Sequence, residues 1–344
     1  MPQASTPDRS TVTSAGSDVR DVAAPVAAGR PLDLRVVALG GGHGLAASLG
    51  ALRRVVKDLT AVVTVADNGG SSGRLRREFG VLPPGDLRQA LAALCGDDDW
   101  GRTWAQVLQH RFSSAGEMDN HAAGNLLIVT LWELLGDHVR GLDWVGRLLG
   151  AQGRVLPMAV TPLDIAATVR GLDPVDPDAV TTVCGQAEVA STPGQVDAVH
   201  LEPEDPPACP EALAAIRDAD WWVLGPGSWF TSVIPHLLVP DLRDALVESE
   251  GRRAVLLNLA PQPGETAGFS PEQHLEVLRS HAPGLRLDVV LADRGTVPDP
   301  ARLRAAARGL GAELVVADLA VGDGTPRHDP EKLADACAGF LAEA

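Results

Sequence analysis

The chain has 344 residues, 45% of them apolar, enough for one large α/β domain or two modest ones with a sizeable core. Its 29 basic and 45 acidic residues leave a net charge of −16, which excludes general nucleic-acid binding but permits small anionic ligands at a local basic pocket such as Arg74, Arg76, Arg77 and Arg88. No apolar run reaches the ~20 residues that span a bilayer, and four scattered cysteines form neither a CxxC motif nor a disulfide framework, so the expectation is a soluble cytoplasmic protein with reduced thiols.

Met1–Arg30 is rich in Ser, Thr, Ala, Asp and Pro and lacks the apolar core of a signal peptide; residues 1–33 are expected to be a disordered tail. Leu34–Leu39 is too apolar for a half-exposed strand and suits the centre of a parallel sheet. It runs into Gly40-Gly41-Gly42-His43-Gly44, and apolar spacing predicts a helix over Gly44–Val56. A second buried strand, Ala61–Ala66, ends on Asp67-Asn68-Gly69-Gly70-Ser71-Ser72-Gly73. Pro83-Pro84-Gly85-Asp86 reads as a stiff turn into a helix with Asp86 as its N-cap. Further helices are expected over Asp86–Leu94, Trp104–Leu108 and His121–Leu135.

Through residues 153–203 helical periodicity fades, β-branched residues rise and turn clusters appear, which predicts a β-rich insertion. Strands then alternate with helices again. The strands are Trp221–Leu224, Ala254–Leu259, Leu287–Ala292 and Glu313–Ala317; the helices are Pro210–Arg217, Asp241–Val247, Pro271–Ser280, Ala301–Arg308 and Pro330–Leu341. The fold class is therefore α/β: a Rossmann-like, doubly wound, mostly parallel sheet from residues 34–152 and 204–344, with a small β-rich inserted subdomain.

Glycines after a strand let backbone approach a diphosphate, whose charge the next helix N-terminus stabilises. Gly40 and Gly42 fit a GxGxxG pattern, but Leu45 stands at its third glycine, which leaves a tight structural turn as the alternative. Asp67, at the end of the second strand, suits a ribose hydroxyl or a Mg²⁺ bridging to phosphates. Asn68, Ser71 and Ser72 sit in a glycine-rich anion nest. Arg88 is either a phosphate clamp or a surface charge. His121 and Asn125, entering an apolar helix, are caps or cleft residues. Gly227 and Ser228 lie in a third glycine loop and Asn258 opens a fourth polar loop, so four strand ends are expected to converge on one cleft. Nothing suggests a nucleophile: there is no GxSxG elbow, HExxH helix or close Cys/His pair.

Seven ordered blocks then resemble one family: GGGHG (Gly40–Gly44), TVADNGGSSGRLR (Thr64–Arg76), PPGDLR (Pro83–Arg88), HAAGNLL (His121–Leu127), LGPGSWFTS (Leu224–Ser232), NLAPQPGET (Asn258–Thr266) and HDPEKLA (His328–Ala334). They are similar to the YvcK family of bacterial proteins, the gluconeogenesis factors, within the wider YvcK/CofD-like group. The resemblance runs from about Leu34 to Phe340. It implies a cytoplasmic, oligomeric protein that binds a UDP-sugar, UDP-N-acetylglucosamine especially, without needing a cofactor. It also implies a role in cell-wall synthesis, cell shape and carbon use through a protein partner.

Site residues under that reading are Gly41, Gly42, His43, Asp67, Asn68, Ser71, Ser72, Arg88, His121, Asn125, Gly227, Ser228 and Asn258, with Asp67 also able to hold Mg²⁺. The CofD branch, by contrast, moves 2-phospholactate from a guanylated donor to a deazaflavin and carries a GPSNP-type loop where this chain has Gly225-Pro226-Gly227-Ser228. A transferase of that type, acting on a nucleotide-activated donor, is the alternative. His43 stands where many relatives have Thr, and Phe230 where many have Tyr.

Overall fold

The computed structural model describes residues 20–21 and 30–343, with the side chains of Arg20 and Asp21 left aside. Its strands are β1 (Arg20–Asp21), β2 (Leu32–Gly40), β3 (Val56–Val63), β4 (Arg154–Pro157), β5 (Asp164–Arg170), β6 (Thr181–Cys184), β7 (Gln195–Glu202), β8 (Trp221–Leu224), β9 (Arg252–Leu256), β10 (Val289–Asp293) and β11 (Glu313–Ala317). Eight form one sheet in the order β1-β11-β10-β9-β8-β2-β3-β4, and every neighbouring pair is parallel. β6-β5-β7 form a separate antiparallel sheet.

The architecture is the doubly wound α/β fold that the alternation of apolar runs and helical spacing implies. From β2 the chain steps to β3 and β4 in one direction. From β8 it steps to β9, β10 and β11 in the other. With right-handed crossovers the connecting helices fall on opposite faces, and the direction reverses between β2 and β8. Ligands in such sheets bind at that reversal, beyond the carboxyl ends of its two strands. Those ends carry Gly40–Gly44 and Gly225–Ser228.

The core supports this placement. The last five residues of β2 and all of β8 are buried, including Trp221 and Trp222. Strands buried on both faces need near-continuous apolar sequence, which explains why alternation is absent from them. Helices Gly42–Leu52, Gly85–Ala93 and Pro330–Leu341 pack together on one side, and Pro210–Asp218 and Pro240–Glu248 pack together elsewhere.

The first crossover differs from expectation at its middle. The helix stops at Leu52 rather than running to Val56, because Val56 pairs opposite Leu32 and opens β3. β3 in turn leaves the sheet at Val63, so Thr64–Ala66 already belong to the loop. The stretch 153–203 divides: β4 joins the main sheet beside β3, and β5, β6 and β7 make the small antiparallel sheet. Within the expected tail, Arg20–Asp21 pair with β11. The rest of that expectation, apart from residues 30–33, lies outside the described residues. Among the described residues no helix is long and apolar enough to cross a membrane.

Candidate functional site

Three helices begin at the carboxyl ends of β2 and β3 and just beyond: Gly42–Leu52, Gly70–Phe79 and Gly85–Ala93. Each opens on glycine, and none has a side-chain cap. Four helices elsewhere are capped by an aspartate, at Asp98, Asp137, Asp299 and Asp329, whereas those that begin at Ala123, Pro210 and Pro240 also lack a side-chain cap. Capping is worth about 1 kcal/mol. Its omission at three adjacent helix starts leaves first-turn N–H groups, with their positive partial charge, for another acceptor.

The three starts touch one another. A Cβ on Gly41 would fall 2.6 Å from Asp86 Oδ2 and 2.5 Å from Thr64 Cγ2. Only glycine lets the first loop lie directly on that carboxyl. Likewise Ser72 Oγ and Asp67 Oδ2 crowd against Gly85, at 2.3 and 2.7 Å from where its Cβ would stand. Asp67 Oδ1 accepts the Gly69 N–H at 2.9 Å, so both of its oxygens face helix starts.

Asp86 corrects the sequence reading. Pro84 is the N-cap, and Asp86 lies inside the first turn with its buried carboxyl turned back under the Gly41-Gly42 loop. Burial and the neighbouring Asp67 push its pKa up to about 7, against the opposing pull of the Gly42 N–H and Arg88. Its Oδ2 has no hydrogen-bond partner among the described residues. The signal available in the sequence is the Pro-Gly pair before it, which moves the cap two positions upstream of Asp86.

Arg88 is a buried group, only 2% exposed, which removes the surface-charge alternative. Its Nη1 donates to Gln109 Oε1, and among the described residues its Nε has no partner and no carboxylate lies at ion-pair distance. Burial and Arg111 lower its pKa to about 10, so it remains a cation. A buried cation without a paired acid is costly, and an incoming anion would offset that cost.

Ser71, His121 and Asn125 form one buried knot. Ser71 Oγ accepts from the Ala122 N–H at 3.2 Å and from Asn125 Nδ2 at 3.0 Å, and lies 3.1 Å from His121 Nδ1. A hydroxyl has two lone pairs and one proton. With both lone pairs taken, its proton must go to Nδ1, so His121 carries its own proton on Nε2. Burial, with Arg74 adding to it, lowers the His121 pKa and favours this neutral form. A serine oxygen with both lone pairs engaged is a fastening rather than a nucleophile.

The second side of the reversal is built differently. Asn258 grips both groups of Gly227, its Oδ1 accepting the N–H at 2.9 Å and its Nδ2 donating to the carbonyl at 2.8 Å. Gln262 accepts the Trp229 N–H at 3.2 Å and donates to Ser228 Oγ at 3.3 Å. Buried Glu265 accepts from the Phe230 N–H at 2.9 Å and from Thr231 Oγ1 at 2.6 Å, and burial raises its pKa. Gln262 and Glu265 were not singled out from the sequence, although an amide and an acid spaced three apart in a Pro/Gly loop are apt loop fasteners. Phe230 is also buried, its ring edge-on to Phe269 at 6.1 Å, so its stacking partner is a protein ring.

Between the halves lies a cleft of about 530 Å³. Exposed His43 lines it with Gly227, Asn258 and Gln262, and Arg327 and His328 close its far wall. Of the expected residues, Gly41, Gly42, Asp67, Ser71, Ser72, Arg88, His121 and Asn125 lie around the three helix starts or in the Ser71 knot. His43, Gly227, Ser228 and Asn258 lie on or beside the cleft. Asn68 sits in the first group, but its amide turns outward to the antiparallel subdomain.

Comparisons with known proteins give the chain a family. A family model described as 2-phospho-L-lactate transferase CofD matches residues 36–324. A Mycobacterium tuberculosis protein described as "Putative gluconeogenesis factor" is 54% identical over 310 residues, covering 89% of this chain and 90% of its own. A Listeria monocytogenes "Gluconeogenesis factor" is 35% identical over 318 residues, covering 89% and 95%. A crystal structure of a UPF0052-family protein from Bacillus halodurans superimposes with a TM-score of 0.77 at 32% identity, covering 89% of this chain and 98% of that one.

Proposed function

The chain belongs to the CofD family, among its YvcK-type gluconeogenesis factors, and from that membership we propose that it is a regulatory protein that binds a UDP-sugar. One observation carries the reading: three uncapped, glycine-led helix starts packed around Asp67 and the buried Asp86. Such an arrangement suits a diphosphate, with N–H groups for its oxygens and Arg88 for its charge. The adjoining cleft has room for a nucleoside or sugar against Pro226, Leu259 and Pro261. UDP-N-acetylglucosamine is the expected ligand.

The donor set around Asp67 is all oxygen, with Ser72 Oγ and Asp86 beside it. That fits a hard divalent cation held by one or two carboxylates plus ligand phosphates, which is the usual manner of Mg²⁺. Among the described residues no group of three or more His, Cys, Asp or Glu could hold a metal alone. A Mg²⁺ would therefore arrive with the diphosphate and neutralise it. No other cofactor enters the reading. The protein works in the cytoplasm as a homo-oligomer, and its output is a contact with a protein partner in cell-wall regulation, linking cell shape to carbon metabolism.

The alternative is a transferase acting on a nucleotide-activated donor of the phospholactyl type, which the description of the matching family favours. Calorimetric titration with UDP-N-acetylglucosamine, with UDP-glucose, GDP and NAD in parallel, separates the two. Uridine-selective binding with ligand recovered intact is the expected result. Preference for GDP, or consumption of the donor, would replace the sensor with the transferase.

A further inference from the structure

The helix Gly70–Phe79 does more than present an anion loop. Four fastenings leave from it and from the residues just before it, each to a different outer segment. Ser71 holds the 121–125 segment, and Arg74 donates to the Glu117 and Asp119 carbonyls at 2.9 and 2.6 Å. Arg76 donates to the Leu163 carbonyl at 2.9 Å and makes a two-point pair with Asp164 at 2.9 and 2.7 Å, at the foot of β5. Asn68 spends its whole side-chain amide on the antiparallel subdomain: Oδ1 accepts the Ala187 N–H at 3.0 Å, and Nδ2 donates to Glu188 Oε2 at 2.8 Å. That bond holds the Glu188 carboxyl below its usual range.

The subdomain is thus mounted twice on the one element that starts the glycine loop. One mount, at Arg76, is mostly buried; the other, at Asn68, is exposed. The far end of the short helix Gln186–Ala190 rests on the other half of the site. It touches the Trp229–Val233 turn, and a Cβ on Gly264 would stand 2.2 Å from the Ala190 carbonyl oxygen. The Asp67–Gly69 backbone cannot rotate without swinging Asn68 between them, so the order of that loop and the seat of the subdomain are one variable.

We propose that the antiparallel subdomain is the readout element of the ligand site, coupled to the glycine loop through a latch between Asn68 and Ala187–Glu188. An anion bound on the N–H groups of Gly70–Ser72 orders the loop with Asn68 facing outward, and this tightens the subdomain over the cleft. The proposal rests on the UDP-sugar reading only for the identity of the ligand. It gives the sensor a surface, β5–β7, that changes with occupancy.

The test is hydrogen–deuterium exchange with mass spectrometry on the full chain, for wild type, Asn68→Ala, Glu188→Ala and the double variant. Without ligand, Glu188→Ala should speed exchange across Thr181–Ser191 roughly five-fold and Asn68→Ala, which also loses the Ala187 bond, by more; the double variant should match Asn68→Ala, because the Glu188 bond is already gone there. Saturating UDP-N-acetylglucosamine should slow that segment in wild type and fail to do so in Glu188→Ala. Unchanged exchange in Glu188→Ala, or additive effects in the double variant, would overturn the latch. So would ligand binding proved by calorimetry without slower exchange of 181–191. If UDP-N-acetylglucosamine does not bind at all, the UDP-sugar reading falls, and the unliganded variants still decide the latch.

Discussion

The two sides of the sheet reversal solve opposite problems with similar glycine loops. Beyond β8 and β9, the polar side chains Asn258, Gln262 and Glu265 are spent on neighbouring backbone, so this side holds its shape unaided. Beyond β2 and β3, Asp86 Oδ2, Arg88 Nε, Asn125 Oδ1 and Thr64 Oγ1 are buried without a partner among the described residues. Each such group costs about 1–3 kcal/mol. The difference lies in the charged groups: the first side, a platform, engages its acid and amides, although its Trp229 Nε1 and His274 Nε2 also lack partners among those residues, while the second, a cradle, leaves a carboxyl oxygen and a guanidinium nitrogen open to a ligand.

The largest expected effect comes from breaking the platform. Glu265→Ala strips the acceptor from the Phe230 N–H and the Thr231 hydroxyl in a buried site and should cost about 2–4 kcal/mol in urea unfolding. Glu265→Gln should cost less than about 1 kcal/mol. Its oxygen can face the obligate Phe230 donor while its NH₂ donates to Thr231, whose hydroxyl can accept. Equal losses in the two variants would mean that charge, not bond count, holds the loop.

The platform extends to β3 through His236, which is fully buried and donates its Nε2–H to the Val62 carbonyl at 3.1 Å. Burial pushes its pKa down to about 4 from 6.5. Because the folded value lies below the unfolded one, stability is whole above pH 6.5 and is lost as pH falls toward 4. The share owed to this residue is roughly 2–3 kcal/mol. Urea unfolding from pH 8 to pH 4 should show the loss, and His236→Gln should flatten it. The same slope in both would assign the loss elsewhere.

The cradle should respond with the opposite sign. Asp86→Asn removes the tendency to bury a charge and should stabilise the unliganded protein by about 1–3 kcal/mol in metal-free buffer, while abolishing ligand binding. A destabilised variant would make Asp86 part of the scaffold and erase the contrast between the two sides.

Much of this contrast was legible in the sequence. Composition and alternation led to the doubly wound sheet, and the glycine loops led to the strand ends at which it reverses. Trp221–Leu224 and Glu313–Ala317 match their strands end to end because buried parallel strands are bounded by sharp turns. The first crossover was less legible, since Val55 and Val56 continue a helical spacing while Val56 pairs with the neighbouring strand. In the site, residue types were readable but directions were not. Asn68 and Asn258 look alike as ligand donors, yet one holds the subdomain and the other holds a peptide. Asp86 passed for a cap because the position of a cap depends on where the backbone turns, and that is settled by Pro84.

The smallest effect on stability belongs to the cleft's outer wall. Arg327 donates from Nε to Thr325 Oγ1 at 2.9 Å and from Nη2 to Asp323 Oδ2 at 2.6 Å, on an exposed loop. Solvent screens such a pair, so Arg327→Ala should leave the melting temperature unchanged. It lines the cleft, however, and loss of its charge should weaken UDP-N-acetylglucosamine binding roughly ten-fold by calorimetry. Asp323→Asn separates two causes. If Arg327 swings from Asp323 to reach the ligand, freeing it should tighten binding. If Arg327 only shapes the loop through Asp323, the two variants should weaken binding together. Tighter binding in Asp323→Asn would extend the cradle to the far wall; joint weakening would return that wall to the platform.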